Sequence, residues 1–410
     1  MAKLIKDNII TSIDIGTTKI CVLVGKKVGD QLEVIGIGKS PSLGLKKGVV
    51  VDIAKTTNAI HYAVKEAELM AGVTIDSACI GISGSHISSM TSSGVLAIKN
   101  NIIKQSDIAN VLDAAQAVAV PQGYQILHVL PQYFIVNGKD KIQDPLGMHA
   151  VRLEVQAHII MGAVSSVNNL LHCCQTIGIT VSDIILEQLA SATAVLSEDE
   201  MDLGVGILDI GGGTSDFAVY RNAAVQHTMV LPVAGNHVTD DIAIGLRLMK
   251  REAERIKREY GLAALHMIEE EKLIEVEMMQ GNDLHVIRLS DLVSIIECRM
   301  KELFVLVRSE IKKHNLHSIM TNGLVLTGGG SLIHGAQDFA ERIFDCPARI
   351  GKPRVFFDLV ETLQSPLYAT GYGLLLYVLN NEKKIIKSMN EEPLARRVVE
   401  RMKLWVSEFF

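Results

Sequence analysis

The sequence predicts an α/β chain of two similar lobes, the first carrying a smaller α+β insert, and three observations carry that expectation. A chain of 410 residues is too long for one ordinary core. A strand, an Asp-Ile-Gly turn and a second strand occur twice, as SIDIGTTKICVLV at 12–24 and ILDIGGGTSDFAVY at 207–220. Between the two copies, residues 84–162 change texture before the first style resumes.

Residues 8–38 alternate apolar runs with glycines, IITSIDIGTTKICVLVGKK then LEVIGIG, and read as two or three strands joined by tight turns. A helix over 52–71 opens at a capping Asp52 and stops at Gly72. SACIGISGSHISSM reads as a buried strand ending in a Gly/Ser loop. The insert holds a helix at 106–119, a Pro/Gly turn at 121–123, and strands near 125–136 and 151–161. A helix at about 165–177, the strand VSDIILE and a helix at 188–196 lead to the second Asp-Ile-Gly turn. Beyond it, charged helical stretches at 238–260 and 290–314 flank a strand pair at 274–279 and 284–289. The strand GLVLTGGGSLI, a helix from 335 and a last helix over 366–380 follow. The polar, Lys-rich NEKKIIKSMNEEP is expected to be a flexible linker.

Net charge is −6 with 21 % charged residues, so no global basic field exists and no nucleic-acid partner is expected. The six cysteines are scattered, and the adjacent Cys173 and Cys174 have no metal-type spacing. With no apolar signal region in MAKLIKDNIITSIDIG, a reduced cytoplasmic protein is expected. No apolar run reaches the roughly 18–20 residues that span a bilayer; YGLLLYVLN is read as a buried helix. Neither the cysteines nor the thirteen histidines nominate a nucleophile or a zinc site.

The two Asp-Ile-Gly turns read as a phosphate clamp. Glycines let backbone N–H groups cradle oxygens, threonine hydroxyls add donors, and each aspartate organises Mg²⁺ or its waters. An ordinary β-turn explains one such hairpin equally well; two in the same register, followed by LVLTGGGS, favour the clamp. GIGKS at 36–40 is no P-loop, because Glu33 stands where that motif needs glycine. A dinucleotide fold also fits poorly, since GGGTSD leads into a strand and lacks the G-x-G-x-x-G order.

In order and separation, DIGTTK, LDIGGGTSD and LTGGGS resemble the phosphate-1, phosphate-2 and adenosine motifs of the actin, Hsp70 and sugar-kinase ATPase superfamily. The resemblance implies an actin-like two-lobed ATPase fold of duplicated ribonuclease-H-like domains that binds ATP and Mg²⁺. It implies that Asp14 and Asp209 are the Mg²⁺-organising acids. Gly16, Thr17, Thr18 and Lys19 match the first phosphate loop, and Gly211, Gly212, Gly213 and Thr214 the second. Gly328, Gly329, Gly330 and Ser331 match the adenosine loop. AERIKREYG resembles the E-x-x-K helix, nominating Glu254 and Lys257 for ribose and base, one turn apart on one face; an exposed salt-bridged pair is the plain alternative. LEQLASATAVL resembles the segment whose acid orients the attacking water, making Glu187 the candidate base, with Gln188 where relatives often have proline.

GLKKGVVVDI, IGISGSHISS, VLPQYFIVNG and VAGNHVTDDIAIGL narrow the resemblance to the FtsA family of bacterial cell-division proteins. On that reading 1–83, 163–196 and the helix 361–380 form subdomain 1A, with subdomain 1C inserted at 84–162. Segments 197–240 and 310–360 form subdomain 2A, 241–309 forms 2B, and 381–392 is the linker. The family implies weak ATPase activity, head-to-tail homopolymers, contact with the tubulin-like FtsZ polymer, and recruitment of later division proteins at the septum. An actin-fold small-molecule kinase and a pilus-assembly-type ATPase are the rival readings.

Residues 393–410 answer to a different solvent. On a helical projection, Leu394, Val398, Met402, Trp405, Val406, Phe409 and Phe410 fall within one arc of about 160°, opposite a net basic face. Leu404 alone is misplaced, and Pro393 suits a first turn. Such a helix lies in a membrane interface, here the inner face of the cytoplasmic membrane, and the family resemblance favours this over docking on the protein's own core.

Overall fold

The computed structural model describes residues 8–29, 31–278, 284–355 and 360–391. β1 (Ile9–Ile15) turns at residues 16–18 and returns antiparallel as β2 (Lys19–Val28), which pairs with β3 (Gln31–Pro41). β1 is buried from Ile10 onward and β2 from Ile20 to Gly25, which is why both read as near-continuous apolar runs. A short ribbon of β4 (Leu45–Lys46) and β5 (Val49–Val50) leads into α1 (Ile53–Ala71). Asp52 caps α1 by accepting from the Lys55 N–H at 3.0 Å, and Gly72 ends it at φ 66°. β6 (Ser77–Ile82) then lies parallel to β1.

The insert comprises β7 (Ile87–Ala97), α2 (Gln105–Gln116), β8 (Tyr124–Val136), β9 (Lys139–Ile142) and β10 (Arg152–Ala163). Its sheet runs β7-β10-β8-β9, and a small separate core including Val111, Phe134 and Leu153 lies beneath α2. The Gly/Ser loop is confined to residues 83–86, and the serines beyond it belong to β7, whose residues 87–97 pair in unbroken register with β10. Serine's local hydrogen bonding competes with a ladder only where no long partner is on offer.

α3 (Val164–Thr176) and β11 (Thr180–Leu186) complete the first sheet, ordered β11-β6-β1-β2-β3, and α4 (Glu187–Val195) and α5 (Glu198–Leu203) follow. The second lobe opens with β12 (Val205–Ile210), β13 (Ser215–Arg221) and β14 (Ala224–Leu231), then α6 (Gly235–Gly245) and α7 (Lys250–Tyr260). The charged stretch 238–260 is thus two helices, broken where Arg247 takes φ 56°. The pair β15 (Leu273–Glu277) and β16 (Leu284–Arg288) precedes α8 (Leu289–Lys313), β17 (Leu324–Thr327), α9 (Ala336–Phe344), β18 (Ala348–Ile350), α10 (Val360–Leu363) and α11 (Ala369–Glu391). The second sheet runs β14-β13-β12-β17-β18. Read outward from the third strand, both sheets are three antiparallel strands followed by two parallel ones. The fold is one unit used twice.

A continuous apolar core unites the first sheet, α4, α11 and one face of the second sheet, while α8 and its neighbours fill the other face. α11 corrects the linker expectation, because it continues to Glu391 instead of ending at 380. Charge was mistaken for flexibility: Glu and Lys are strong helix formers, and no Gly or Pro interrupts 374–391. Residues 393–410, with the expected amphipathic helix, lie outside the described residues. No helix among those described is long and apolar enough to cross a membrane.

Candidate functional site

The two Asp-Ile-Gly turns meet across the gap between the lobes. Thr18 Oγ1 donates to Asn236 Oδ1 at 3.2 Å. A Cβ on Gly212 would stand 1.8 Å from Thr18 Oγ1, and one on Gly213 would stand 2.5 Å from Thr17 Oγ1. Only glycine permits this approach. The N-terminus of α6 braces the second turn, with the Gly235 N–H donating to Gly211 O at 3.0 Å and Asn236 N–H to Gly212 O at 2.8 Å. Above the turns opens a cavity of about 1070 Å³, of a size for a nucleotide. Its walls include residues 16–19, 211–214 and 328–330, with Asp14, Glu187, Asp209, Glu254 and Lys257.

Four acidic groups converge on the floor. Asp14 closes β1 and Asp209 closes β12, both buried. Burial pushes the Asp14 carboxyl up to about 6; Lys19 opposes the shift and Asp209 adds to it. Burial also raises Asp209, against hydrogen bonds from the Ser191 and Thr370 hydroxyls to its Oδ2. Asp216 on β13 is pushed up to about 7 by burial, its Oδ1 accepting from Ser83 at 2.5 Å while Asp209 and Asp14 repel it. Glu187, the first residue of α4, is raised well above the ordinary glutamate range by burial and by the charges of Asp14, Asp216 and Asp209. Four carboxyls held above their ordinary range are a site short of positive charge.

Lys19 is the cation on that floor. Its Nζ donates to Leu367 O and sits 4.4 Å from the centre of the Tyr368 ring. The oxygen-rich donor set fits a hard cation such as Mg²⁺, which usually keeps several waters and takes one or two carboxylates. Asp14 and Asp209 are the residues that would hold it, at the ends of equivalent strands.

The other predicted residues divide. Glu254 and Lys257 line the cavity and are paired at 2.6 Å, though not as the exposed pair of the plain alternative, since the Lys257 side chain is only 11 % exposed. Lys257 Nζ also donates to Gly235 O at 3.2 Å, so the pair ties α7 to the start of α6 at the cavity wall. Gly328 takes φ 78°, where a Cβ would stand 2.2 Å from Asp209 Oδ1, locking the third loop to the acidic floor. Ser331 does not line the cavity: buried, it donates to Gly328 O at 2.7 Å and holds the loop's shape. The sequence reading gave no role to Asp216, inside the quoted GGGTSD, to Asn236, Ser83 and Ser191, inside VAGNHVTDDIAIGL, IGISGSHISS and LEQLASATAVL, or to Thr370, which lies in no quoted motif.

Comparison with known proteins places these features in a lineage. The family model described as Cell division protein FtsA matches residues 206–373, and the SHS2 domain inserted in FTSA matches residues 84–161. The chain is 42 % identical over 418 residues to the Cell division protein FtsA of Pseudomonas aeruginosa, covering 100 % of both chains. It is 37 % identical over 389 residues to that of Bacillus subtilis, covering 93 % of this chain and 87 % of the relative. Among solved structures, a PilM-PilN type IV pilus biogenesis complex is similar at TM-score 0.66 and 17 % identity, covering 90 % of this chain and 98 % of that one. MreB5 of Spiroplasma citri bound to ADP is similar at TM-score 0.57 and 16 % identity, covering 94 % of this chain and 100 % of that one. These structural likenesses establish an actin-like fold.

Proposed function

Because the chain belongs to the FtsA family of cell-division proteins, we propose that it binds Mg-ATP between its lobes and anchors division filaments to the membrane. The observation that carries the nucleotide reading is the meeting of the two glycine turns over three buried aspartates, the half-buried Glu187 and Lys19. On this reading residues 16–18 and 211–214 cradle the phosphates, Lys19 pairs with them, and Asp14 and Asp209 would hold a Mg²⁺ that supplies positive charge to phosphates and carboxyls alike. Glu254 and Lys257 face the ribose and base, and residues 328–330 underlie adenosine. A solved MreB5 bound to AMPPNP supports nucleotide use by the fold.

Glu187 is the candidate base for an attacking water. Burial and three neighbouring acids raise its carboxyl well above the ordinary glutamate range, and added positive charge would lower it again. This supports slow hydrolysis, in which ATP governs lobe closure and polymer contacts more than rapid turnover. The amphipathic pattern of 393–410 supports a peripheral anchor on the inner face of the cytoplasmic membrane. One such helix binds reversibly, so stable attachment requires many copies on one polymer. Family membership supports FtsZ, further copies of this chain and later division proteins as partners at the septum, with subdomains 1A, 1C, 2A and 2B as bounded above. The test is ATP retention: Lys19→Ala and Asp209→Ala are expected to abolish it while circular dichroism stays native. Unchanged ATP affinity in both variants refutes the clamp.

A further inference from the structure

Away from the cleft, the fold gathers three metal-ligating side chains that the sequence keeps far apart. His227 lies on β14, and Glu310 and His314 sit one turn apart near the end of α8. Glu310 Oε1 is 3.2 Å from His227 Nε2 and 3.0 Å from His314 Nε2. One ligand atom from each residue lies within 4.8 Å of the other two, the sole such His/Cys/Asp/Glu group among the described residues. Metal–nitrogen bonds of about 2.0–2.1 Å in a tetrahedron put ligand atoms roughly 3.3 Å apart, close to the spacing here.

A plain hydrogen-bonded cluster explains the site less well. His227 Nε2 is buried yet makes no hydrogen bond of acceptable angle, despite the nearby carboxylate. Lys313 approaches the other carboxylate oxygen, Oε2, at 3.4 Å, leaving Oε1 to face both rings. The His227 and His314 rings are 4.5 Å apart and tilted by 31°, and both Nε2 atoms lie beside the same carboxylate oxygen, Glu310 Oε1. The surroundings are organised as well: His158 of the insert donates to or accepts from Thr228, the neighbour of His227, at 2.8 Å.

We propose that His227, Glu310 and His314 bind a borderline divalent metal, Zn²⁺ above all, which clasps the edge strand β14 to α8. Two imidazoles and one carboxylate are a zinc donor set, and the hard ions Mg²⁺ and Ca²⁺ prefer all-oxygen sites. The His314 side chain is 39 % exposed, so the fourth position faces solvent and accepts water or an outside donor.

The test uses the nucleotide-free full chain, stripped by chelator and titrated with Co²⁺ as a spectroscopic probe. One Co²⁺ per chain is expected, with the visible absorption of a low-coordinate ion, displaced by Zn²⁺. His314→Ala and, as a shape-conserving second variant, Glu310→Gln should each weaken Co²⁺ at least tenfold. Asp338→Asn, exposed on α9 and outside both the cleft and the cluster, should leave Co²⁺ binding unchanged. Absence of the visible signal, its persistence in both site variants, or its loss in Asp338→Asn overturns the proposal. The nucleotide reading is untouched by any of these results, because Mg-ATP retention is measured separately.

Discussion

Buried titratable groups give this chain two opposing responses to pH. Asp14 and Asp216, raised to about 6 and about 7, hold protons in the folded state that an unfolded carboxyl near 3.8 has already released. Between those values stability falls as pH rises. His128 and His158 act the other way: burial lowers both to about 4, so the stability of keeping them neutral is lost as pH falls below 6.5. Asp216→Asn isolates the acidic part. In the nucleotide-free chain it should stabilise at pH 8 by on the order of 2–4 kcal/mol and have little effect near pH 4. Thermal melts at both pH values check this; a destabilised variant at pH 8 would mean that the Ser83 hydrogen bond outweighs desolvation and repulsion. Gly328→Ala puts a Cβ into Asp209 at a left-handed φ. It should cost roughly 1–3 kcal/mol and lose ATP retention together, as a melt and a filter-binding assay will show.

Among the elements, β3 and α1 explain the GIGKS decoy. Gly38 does not cradle phosphate: a Cβ there would stand 1.8 Å from Ala63 O on α1, so the glycine lets the helix lie close on the sheet. Gly38→Ala should therefore destabilise the chain by roughly 1–3 kcal/mol through overpacking. ATP affinity per folded molecule should stay native, which separates a packing glycine from a phosphate glycine; calorimetric melts with ATP titration decide it. α11 shows the complementary lesson. Its first half is buried against α4 in the shared core, and its continuation to Glu391 needs only good helix formers and no breaker.

Across the whole molecule, α4 and α11 join lobes whose sheets share a core, while the turns at 16–18 and 211–214 close the gap above. On the proposed reading, Mg-ATP bound there would bridge both lobes. Hydrogen exchange at residues 16–19 and 211–214 should slow with Mg-ATP far more than exchange in β7 and β10 of the insert; equal slowing everywhere would speak against a bridging ligand. The tail is tested by co-sedimentation with anionic lipid vesicles, with and without ATP. The full chain should pellet and a chain ending at Asn390 should stay in solution; if neither pellets at polymer-forming concentration, the anchor reading fails.

Period and turn chemistry are local, and the sequence by itself determined what depends on them. The duplicated strand-turn-strand units, the capped α1, the helix of the insert and the glycine turns were legible because apolar runs and Gly/Thr/Asp turns leave their mark within a few residues. Asp14, Asp209 and Lys19 were found because they sit at those marks, Glu187 through the resemblance of LEQLASATAVL to a family segment, and the tertiary structure gathers all four around one cavity. Long-range juxtaposition was not legible. Asp216 reads as a polar residue in a strand until Asp209 and Asp14 are seen beside it. Ser331 reads as a ligand until its hydroxyl is found closing its own loop. His227 stands 83 residues before Glu310 by their numbers, and no spacing rule joins them. Only the packing of α8 on the edge of the second sheet makes them neighbours, because a helix presents one face and the fold alone decides what that face meets.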